Sequence, residues 1–214
     1  MMHYIEELIL QGEHQTQDFK FRVDDARKIA KTLVAFANTD GGRLLIGVKD
    51  NGRIAGVRSD EEYYVIEAAA ELYTEPNVSF TAIAHDVSGK QVLEVIVEPS
   101  DERPHFAIDK DGKKWAYFRR ADQNHPANGV LLEFWRMRDE TSRTTVLEKY
   151  GDVHRKLYEL IYAGERVSIS KLIKAANISP EKARHILATF LHWELIDYNI
   201  DQNGIYFTDL EEIT

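Results

Sequence analysis

The chain has 214 residues, of which 43% are hydrophobic and 29% charged, and this composition favours a buried core over disorder. It contains no cysteine, which excludes disulfides and thiolate metal sites, and its net charge of −9 argues mildly against a nucleic-acid partner. Because it shows neither a signal peptide nor an apolar run long enough to span a bilayer, we expect a cytoplasmic protein without a membrane partner.

The N-terminal third alternates helical and strand patterns. A short helix is predicted first, and the alternation in "TQDFKF" then predicts a half-buried strand with Phe19 and Phe21 on one face. Either Asp24 or Asp25 can cap the helix predicted for "ARKIAKTLVAFAN". The nearly continuous apolar run "RLLIGV" predicts a strand in the centre of its sheet.

Three turn signals follow, each between two strand patterns. They are Asp50-Asn51-Gly52, Ser88-Gly89 and Asp111-Gly112, and each predicts a hairpin. A helix precedes the second hairpin and another follows the third. The first part of the chain is therefore predicted to be an α+β domain with antiparallel hairpins.

The stretch from Phe36 to Gly56 holds five glycines, which raises the question of a phosphate-binding loop. Nucleotide loops place a Lys-Ser/Thr pair at the start of a helix, whereas this stretch has no such pair and leads from a helix into a strand. No GxGxxG motif occurs either. We therefore expect the glycines to form the wall of another kind of site.

The C-terminal part has a different pattern. Residues 138–150 are polar and charged and are predicted to be a linker between a domain at 1–137 and a domain at 151–214. The second domain shows three helical patterns, the last beginning at Pro180, and then two short strands around Asn203-Gly204. This order predicts a winged helix-turn-helix.

Positive charge is concentrated in two segments despite the negative total. Residues 20–58 hold nine basic and four acidic residues, a net charge of +5, and residues 103–120 have a net charge of +4. Local fields steer a polyanion, so these segments are candidate contacts, although solvated helix and hairpin faces would look the same. Residues 151–214 have a net charge of −3, which is weak support for DNA binding.

Three stretches, "QDFKF", "IAKTLVAFANTDGGRLLIGVKDNGRIAGV" and "YFRRADQNHPA", resemble the AlbA-like domain of the Schlafen group. The resemblance covers roughly residues 12–135. It implies a DNA-binding domain, which in bacteria is often followed by a winged helix.

The resemblance also implies a possible catalytic cluster. Schlafen nucleases use three carboxylates, and the matching positions here are Glu13, Asp18 and Asp50, which would hold Mg²⁺ or Mn²⁺ for phosphodiester cleavage. Asp18 stands where the family usually has Glu, so its carboxylate is withdrawn by one methylene. The alternative is that Glu13 is an ordinary solvated residue and Asp50 the first residue of a turn.

The predicted function is a DNA-binding transcriptional regulator, acting as a homodimer and binding DNA in preference to RNA. The alternatives are a metal-dependent endoribonuclease working through the three carboxylates and a non-catalytic protein-interaction module. Winged helices place the start of their third helix in the major groove, so that helix supplies part of the predicted interface. The predicted nucleic-acid-binding residues are Lys20, Arg22, Arg43, Lys49, Arg119, Arg120, Lys182, Arg184, His185 and Thr189.

Overall fold

The computed structural model describes residues 2–57, 61–137 and 151–210. These form two compact units, Met1–Ala127 and Asn128–Thr214. The predicted linker at 138–150 lies outside the described residues. The predicted division at 137 remains a prediction, but the last helix assigned to the first domain belongs to the second unit here.

The first unit is built on a mixed four-stranded sheet. Its strands are β1 (Gln17–Lys20), β2 (Gly42–Ile46), β4 (Thr81–Val87) and β5 (Lys90–Val97), in the order β1-β2-β5-β4. Strand β1 runs parallel to β2, and the other pairs are antiparallel. The predicted α+β class is confirmed, and β2 is central as expected.

Three helices cover the two faces of this sheet. They are α1 (Tyr4–Leu10), α2 (Ala26–Asn38) and α3 (Glu61–Leu72). Leu44 and Ile46 point into a core with α2 and α3, while Leu45, between them, packs with α1. This division follows from the two-residue period of a strand.

The remaining strands of the first unit form two small sheets. One has the order β3-β6-β7, with β3 at Thr74–Glu75, β6 at Phe106–Ile108 and β7 at Lys114–Trp115. The other pairs β8 (Tyr117–Arg120) with β9 (Gln123–Pro126). The segment "KKWAYFRR", which follows the Asp111-Gly112 turn, is therefore divided at Ala116 between two sheets.

The burial predicted for Phe21 is wrong. Strand β1 ends at Lys20, whose carbonyl accepts the last bond to β2 from the Gly47 amide at 2.8 Å. Phe21 then leaves the sheet and is 38% exposed, whereas Phe19 is buried. Alternation predicts burial only as far as the strand pairing extends.

The glycines of the 36–56 stretch allow close packing. A Cβ atom on Gly42 would lie 2.4 Å from the Phe36 ring, and one on Gly47 would lie 2.8 Å from the backbone of Gly56. Gly47 also has a φ of +91°, which favours glycine. These contacts explain two of the five glycines without a bound phosphate.

The second unit begins with α4 (Gly129–Arg136) and continues with the predicted three helices and hairpin. These are α5 (Asp152–Tyr162), α6 (Ile169–Ala176), α7 (Pro180–His192), β10 (Asp197–Asp201) and β11 (Gly204–Thr208). The hairpin is antiparallel, and Val167 pairs with Phe207 beside it. The element order agrees with a winged helix, and that assignment stays a prediction. Within the described ranges, no helix is long and apolar enough to cross a membrane.

Candidate nucleic-acid interface

Two of the three predicted catalytic carboxylates lie side by side at β1. The Glu13 carboxylate accepts a hydrogen bond from the Phe19 amide at 2.9 Å. Asp18 is only 5% exposed, and its two oxygens lie 2.7 Å from Lys20 Nζ and 3.4 Å from Arg119 Nη2. The Asp18 charge is therefore already compensated by two cations of the chain.

The environment raises the pKa of Glu13 above its ordinary value of 4.5. Burial is the main cause, and the neighbouring Asp18 adds to it through a shared hydrogen bond and charge repulsion. The Phe19 amide and the Lys20 charge act in the opposite direction. Ionising Glu13 therefore costs more free energy in the folded protein than in the unfolded chain.

This shift makes the stability of the first unit depend on pH. The stabilising contribution of protonated Glu13 is complete below pH 4.5 and is lost as pH rises through its higher folded pKa. We expect Glu13→Gln, which stays neutral, to be more stable than the wild type at pH 7, with the difference shrinking towards pH 4. Urea unfolding across this range measures it. The exposed Glu71→Gln serves as control, and a Glu13→Gln variant less stable at pH 7 would contradict the expectation.

Asp50 does not complete a metal site with this pair. It is exposed in the turn after β2, and no group of three His, Asp or Glu side chains in the described ranges is placed to hold a metal ion. Asp18 is also engaged by Lys20 and Arg119. The three carboxylates therefore do not fit the Mg²⁺ or Mn²⁺ site that the resemblance implied.

Two cations lie over the exposed ring of Phe21. The Arg22 guanidinium is 4.7 Å from the ring centroid, and Lys49 Nζ is 5.0 Å from it. Arg22 and Lys49 were both predicted as binding residues, and the fold brings them together on this ring. Phe21 itself was missed, although its position between Lys20 and Arg22 at the end of a strand was a usable signal.

Two further aromatic rings on the first unit carry a cation from α2. The Arg27 guanidinium lies 4.3 Å from the centroid of Tyr73, and Lys31 Nζ lies 5.7 Å from that of Tyr117. Arg27 and Lys31 are exposed. We call Phe21, Tyr73 and Tyr117 the cation-bearing rings; a further ring with a cation over it, Phe36 beneath Arg119, is fully buried.

Arg119, predicted to bind nucleic acid, is a buried structural residue. It is 1% exposed, and its guanidinium donates to the carbonyls of His14 at 3.1 Å and Gln17 at 2.9 Å. It also donates to Asn124 Oδ1 at 3.1 Å. The binding role is therefore wrong for Arg119, because its donors are used inside the unit. Arg120, the next residue in β8, is half-buried.

Arg43 lies at the other end of β2 from Lys49 and belongs to a different cluster. Its Nη1 donates to the Tyr4 hydroxyl at 2.8 Å and lies 3.5 Å from Glu94 Oε1. Glu94 is 1% exposed and also accepts from His85 Nε2 at 2.9 Å. Arg43 thus compensates a buried carboxylate, and it does not join the Phe21 ring.

The binding residues predicted in the second unit are partly engaged by α4. Glu133 accepts hydrogen bonds from Arg184 Nε at 2.8 Å and from His185 Nδ1 at 2.7 Å. The Thr189 hydroxyl donates to the His185 carbonyl at 2.7 Å. Lys182 is exposed at the start of α7. Arg184 and His185 are thus paired with Glu133 while remaining partly exposed, and their predicted contact with DNA stays a prediction.

The comparisons with known proteins concern mainly the first unit. The family described as "Schlafen, AlbA_2" matches residues 13–128, close to the range of the resemblance seen in the sequence. No curated protein sequence matches the chain.

Two solved structures have weak similarity. The DIP2311 protein from Corynebacterium diphtheriae is 19% identical with a TM-score of 0.47, and the match covers 90% of this chain but 38% of that one. The N-terminal domain of a RecG-related protein from Nitrosomonas europaea is 24% identical with a TM-score of 0.42, covering 56% of this chain and 89% of that one. Neither similarity supports an inference about function.

Proposed function

Because the chain belongs to the Schlafen AlbA_2 family, we propose that it binds nucleic acid through the cation-bearing rings of its first unit. The observation that carries this proposal is the exposed Phe21 ring with the cations of Arg22 and Lys49 over it. Aromatic rings that stack bases, next to cations that contact phosphates, are the usual elements of a surface for unpaired strands.

The interaction free energies favour a stacked base over a cation on these rings. A cation over an exposed ring contributes about 0.5–1 kcal/mol, whereas a stacked base contributes about 1–3 kcal/mol. A base on Phe21 would also leave the charges of Arg22 and Lys49 available to the neighbouring phosphates.

The test is a titration of labelled single-stranded DNA, RNA of the same sequence and duplex DNA, each across a salt series. We expect Phe21→Ala to weaken single-strand binding about 5- to 150-fold, the equivalent of losing one stacked base, with little change in salt dependence. The double variant Arg22→Ala with Lys49→Ala should instead flatten the salt slope by about 1.4 for a single strand, since two phosphate contacts are lost.

The matched control is Tyr64→Ala. Tyr64 is 63% exposed and packs edge-on against Tyr63, and no cation lies over its ring within the part of the chain that the structure describes. Its removal should leave the affinity unchanged. Equal affinity of Phe21→Ala and wild type for all three nucleic acids would overturn the proposed interface.

The finer proposal is a DNA-binding transcriptional regulator that acts as a homodimer. It is supported by the element order of the second unit and by Lys182, which is exposed at the start of α7. The duplex arm of the titration tests DNA binding, and light scattering at micromolar protein tests the dimer. Stronger binding of RNA than of either DNA would remove the preference for DNA.

A role in protein contact is the second candidate for the second unit. It is favoured by the hydrogen bonds that Glu133 accepts from Arg184 and His185, two residues of the helix expected to read DNA. If duplex binding is unchanged in a variant with Lys182→Ala and Arg184→Ala, α7 does not read DNA, and the second unit is better regarded as a protein-contact or dimerisation module. Metal-dependent cleavage through Glu13, Asp18 and Asp50 remains a prediction without a matching geometry.

A further inference from the structure

A serine and a histidine of the first unit are joined by a short hydrogen bond in the segment between β5 and β6. His105 Nε2 lies 2.7 Å from Ser100 Oγ, and His105 Nδ1 lies 2.9 Å from the carbonyl oxygen of Pro76. The imidazole is 2% exposed, and Ser100 is half-buried. Neither Ser100 nor His105 belongs to the proposed nucleic-acid interface.

The partners of His105 determine the direction of both hydrogen bonds in the neutral imidazole. A carbonyl oxygen can only accept, so Nδ1 carries the proton and donates it to Pro76. Nε2 is then an acceptor, and the Ser100 hydroxyl must donate to it. This is the arrangement of a nucleophile, a base and a group that orients the base.

The pair is held by the end of α2. Asn38, which is fully buried, donates from Nδ2 to the His105 carbonyl at 2.9 Å and accepts from the His105 amide at 2.8 Å. The Ser100 amide donates to the Ala37 carbonyl at 2.9 Å. The backbones that carry both reacting side chains are therefore fixed by the end of a helix.

Ser100 and His105 line a cavity of about 300 Å³. Apolar side chains, including Val78, Phe80 and Ile96, form part of its wall, and the carboxylates of Glu98 and Glu102 also line it. This volume is at the lower end of the range for small-molecule pockets. The two carboxylates would disfavour an anionic ligand and admit a neutral or cationic one.

We propose that Ser100 is a nucleophile activated by His105 and that the cavity accepts small neutral or cationic esters. Ser100 Oγ attacks the ester carbonyl carbon as its proton passes to His105 Nε2. The C–O bond to the alcohol then breaks, and the alcohol leaves with that proton. Water, losing a proton to Nε2, then attacks the acyl carbon. The bond from Ser100 Oγ to that carbon breaks, the carboxylic acid leaves, and the proton returns from Nε2 to restore the Ser100 hydroxyl.

The first experiment labels the full chain with an alkyl fluorophosphonate and locates the adduct by peptide mass spectrometry. Ser100 Oγ displaces fluoride from phosphorus, and the hydroxyl proton goes to His105. We expect one adduct, on Ser100, and none in Ser100→Ala. Ser79→Ala is the matched control, since Ser79 lines the same cavity and has no imidazole partner among the described residues, and it should label like the wild type.

A second variant separates reactivity from folding. His105→Asn keeps a donor for the Pro76 carbonyl but removes the nitrogen that accepts from Ser100, and circular dichroism reports whether it folds. We expect its labelling rate to fall at least tenfold. If His105→Asn unfolds, the double variant Glu98→Gln with Glu102→Gln tests the proposal instead. It should raise the rate at which anionic esters are hydrolysed, and at which anionic probes label Ser100, relative to neutral ones.

Three results would overturn the proposal. One is a folded wild type without a Ser100 adduct, and another is labelling of Ser79 and Ser100 at equal rates. The third is an unchanged rate in a folded His105→Asn variant. Any of these would leave the Ser100–His105 hydrogen bond a structural contact. The nucleic-acid titrations do not involve Ser100, so the two proposals fail independently.

Discussion

Replacing Arg119 by alanine should lower the free energy of unfolding of the first unit by about 3–5 kcal/mol, the range observed when one partner of a buried ion pair is removed. The substitution leaves the carbonyls of His14 and Gln17 without their donor inside the protein. It also removes one of the two cations beside the buried Asp18. Urea denaturation at pH 7 measures the loss.

Two further variants test whether the loss comes from the guanidinium of Arg119. Arg119→Lys should recover little of the lost stability, because an ammonium group cannot reproduce the planar fork of a guanidinium. The exposed Arg53→Ala should change stability by no more than about 0.5 kcal/mol, as is usual at surface positions. A loss below 1 kcal/mol in Arg119→Ala would show that Arg119 is dispensable for the core.

Asn38→Ala should lower the free energy of unfolding by at least about 3 kcal/mol, since it leaves three buried polar groups without a partner and each such group costs about 1–3 kcal/mol. The Asn38 side chain satisfies the amide and carbonyl of His105 and the carbonyl of Tyr117, at 2.8–3.0 Å. Its removal leaves these three groups unpaired. Denaturation of the variant, with amide exchange at His105, measures both the global and the local effect.

Two variants serve as comparisons for Asn38→Ala: one places a carboxylate at the same buried position, and the other removes an exposed asparagine side chain. Asn38→Asp keeps the acceptor for the His105 amide but replaces a donor to two carbonyls by an oxygen, so it should be at least as destabilising as alanine. Asn51→Ala removes a single hydrogen bond in an exposed turn and should cost below about 1 kcal/mol. Equal losses for Asn38→Ala and Asn51→Ala would refute the role given to Asn38.

The features predicted correctly from the sequence are those that depend on residues close together in the chain. The helix capped by Asp25, the central strand β2 and the hairpin at Ser88-Gly89 are all visible as local periodicity or turn chemistry. The motif series also indicated the family correctly. Burial of Phe21 was predicted wrongly because the end of a strand is determined by its partner, and no local pattern records where that partner stops.

The candidate sites depend on residues that are far apart in the chain. Arg119 has the alternation of an exposed strand cation, yet its partners lie 102 and 105 positions earlier. Glu133 and Arg184 are separated by 51 positions, and Asn38 and His105 by 67. Residue type alone suggested that Arg119 and Arg184 bind nucleic acid. Only the folded chain shows which of these charges are already neutralised.

The large sequence separation between Arg119 and its partners also affects folding during synthesis. A contact across about 100 residues carries a loop-closure cost that grows with the logarithm of the loop length, and such contacts slow folding. At a synthesis rate of about 5–20 residues per second, the segment holding His14 and Gln17 is complete about 5–20 s before its arginine exists. During that interval α1 and β1 lack this stabilising partner on the ribosome, so their stability depends on later synthesis.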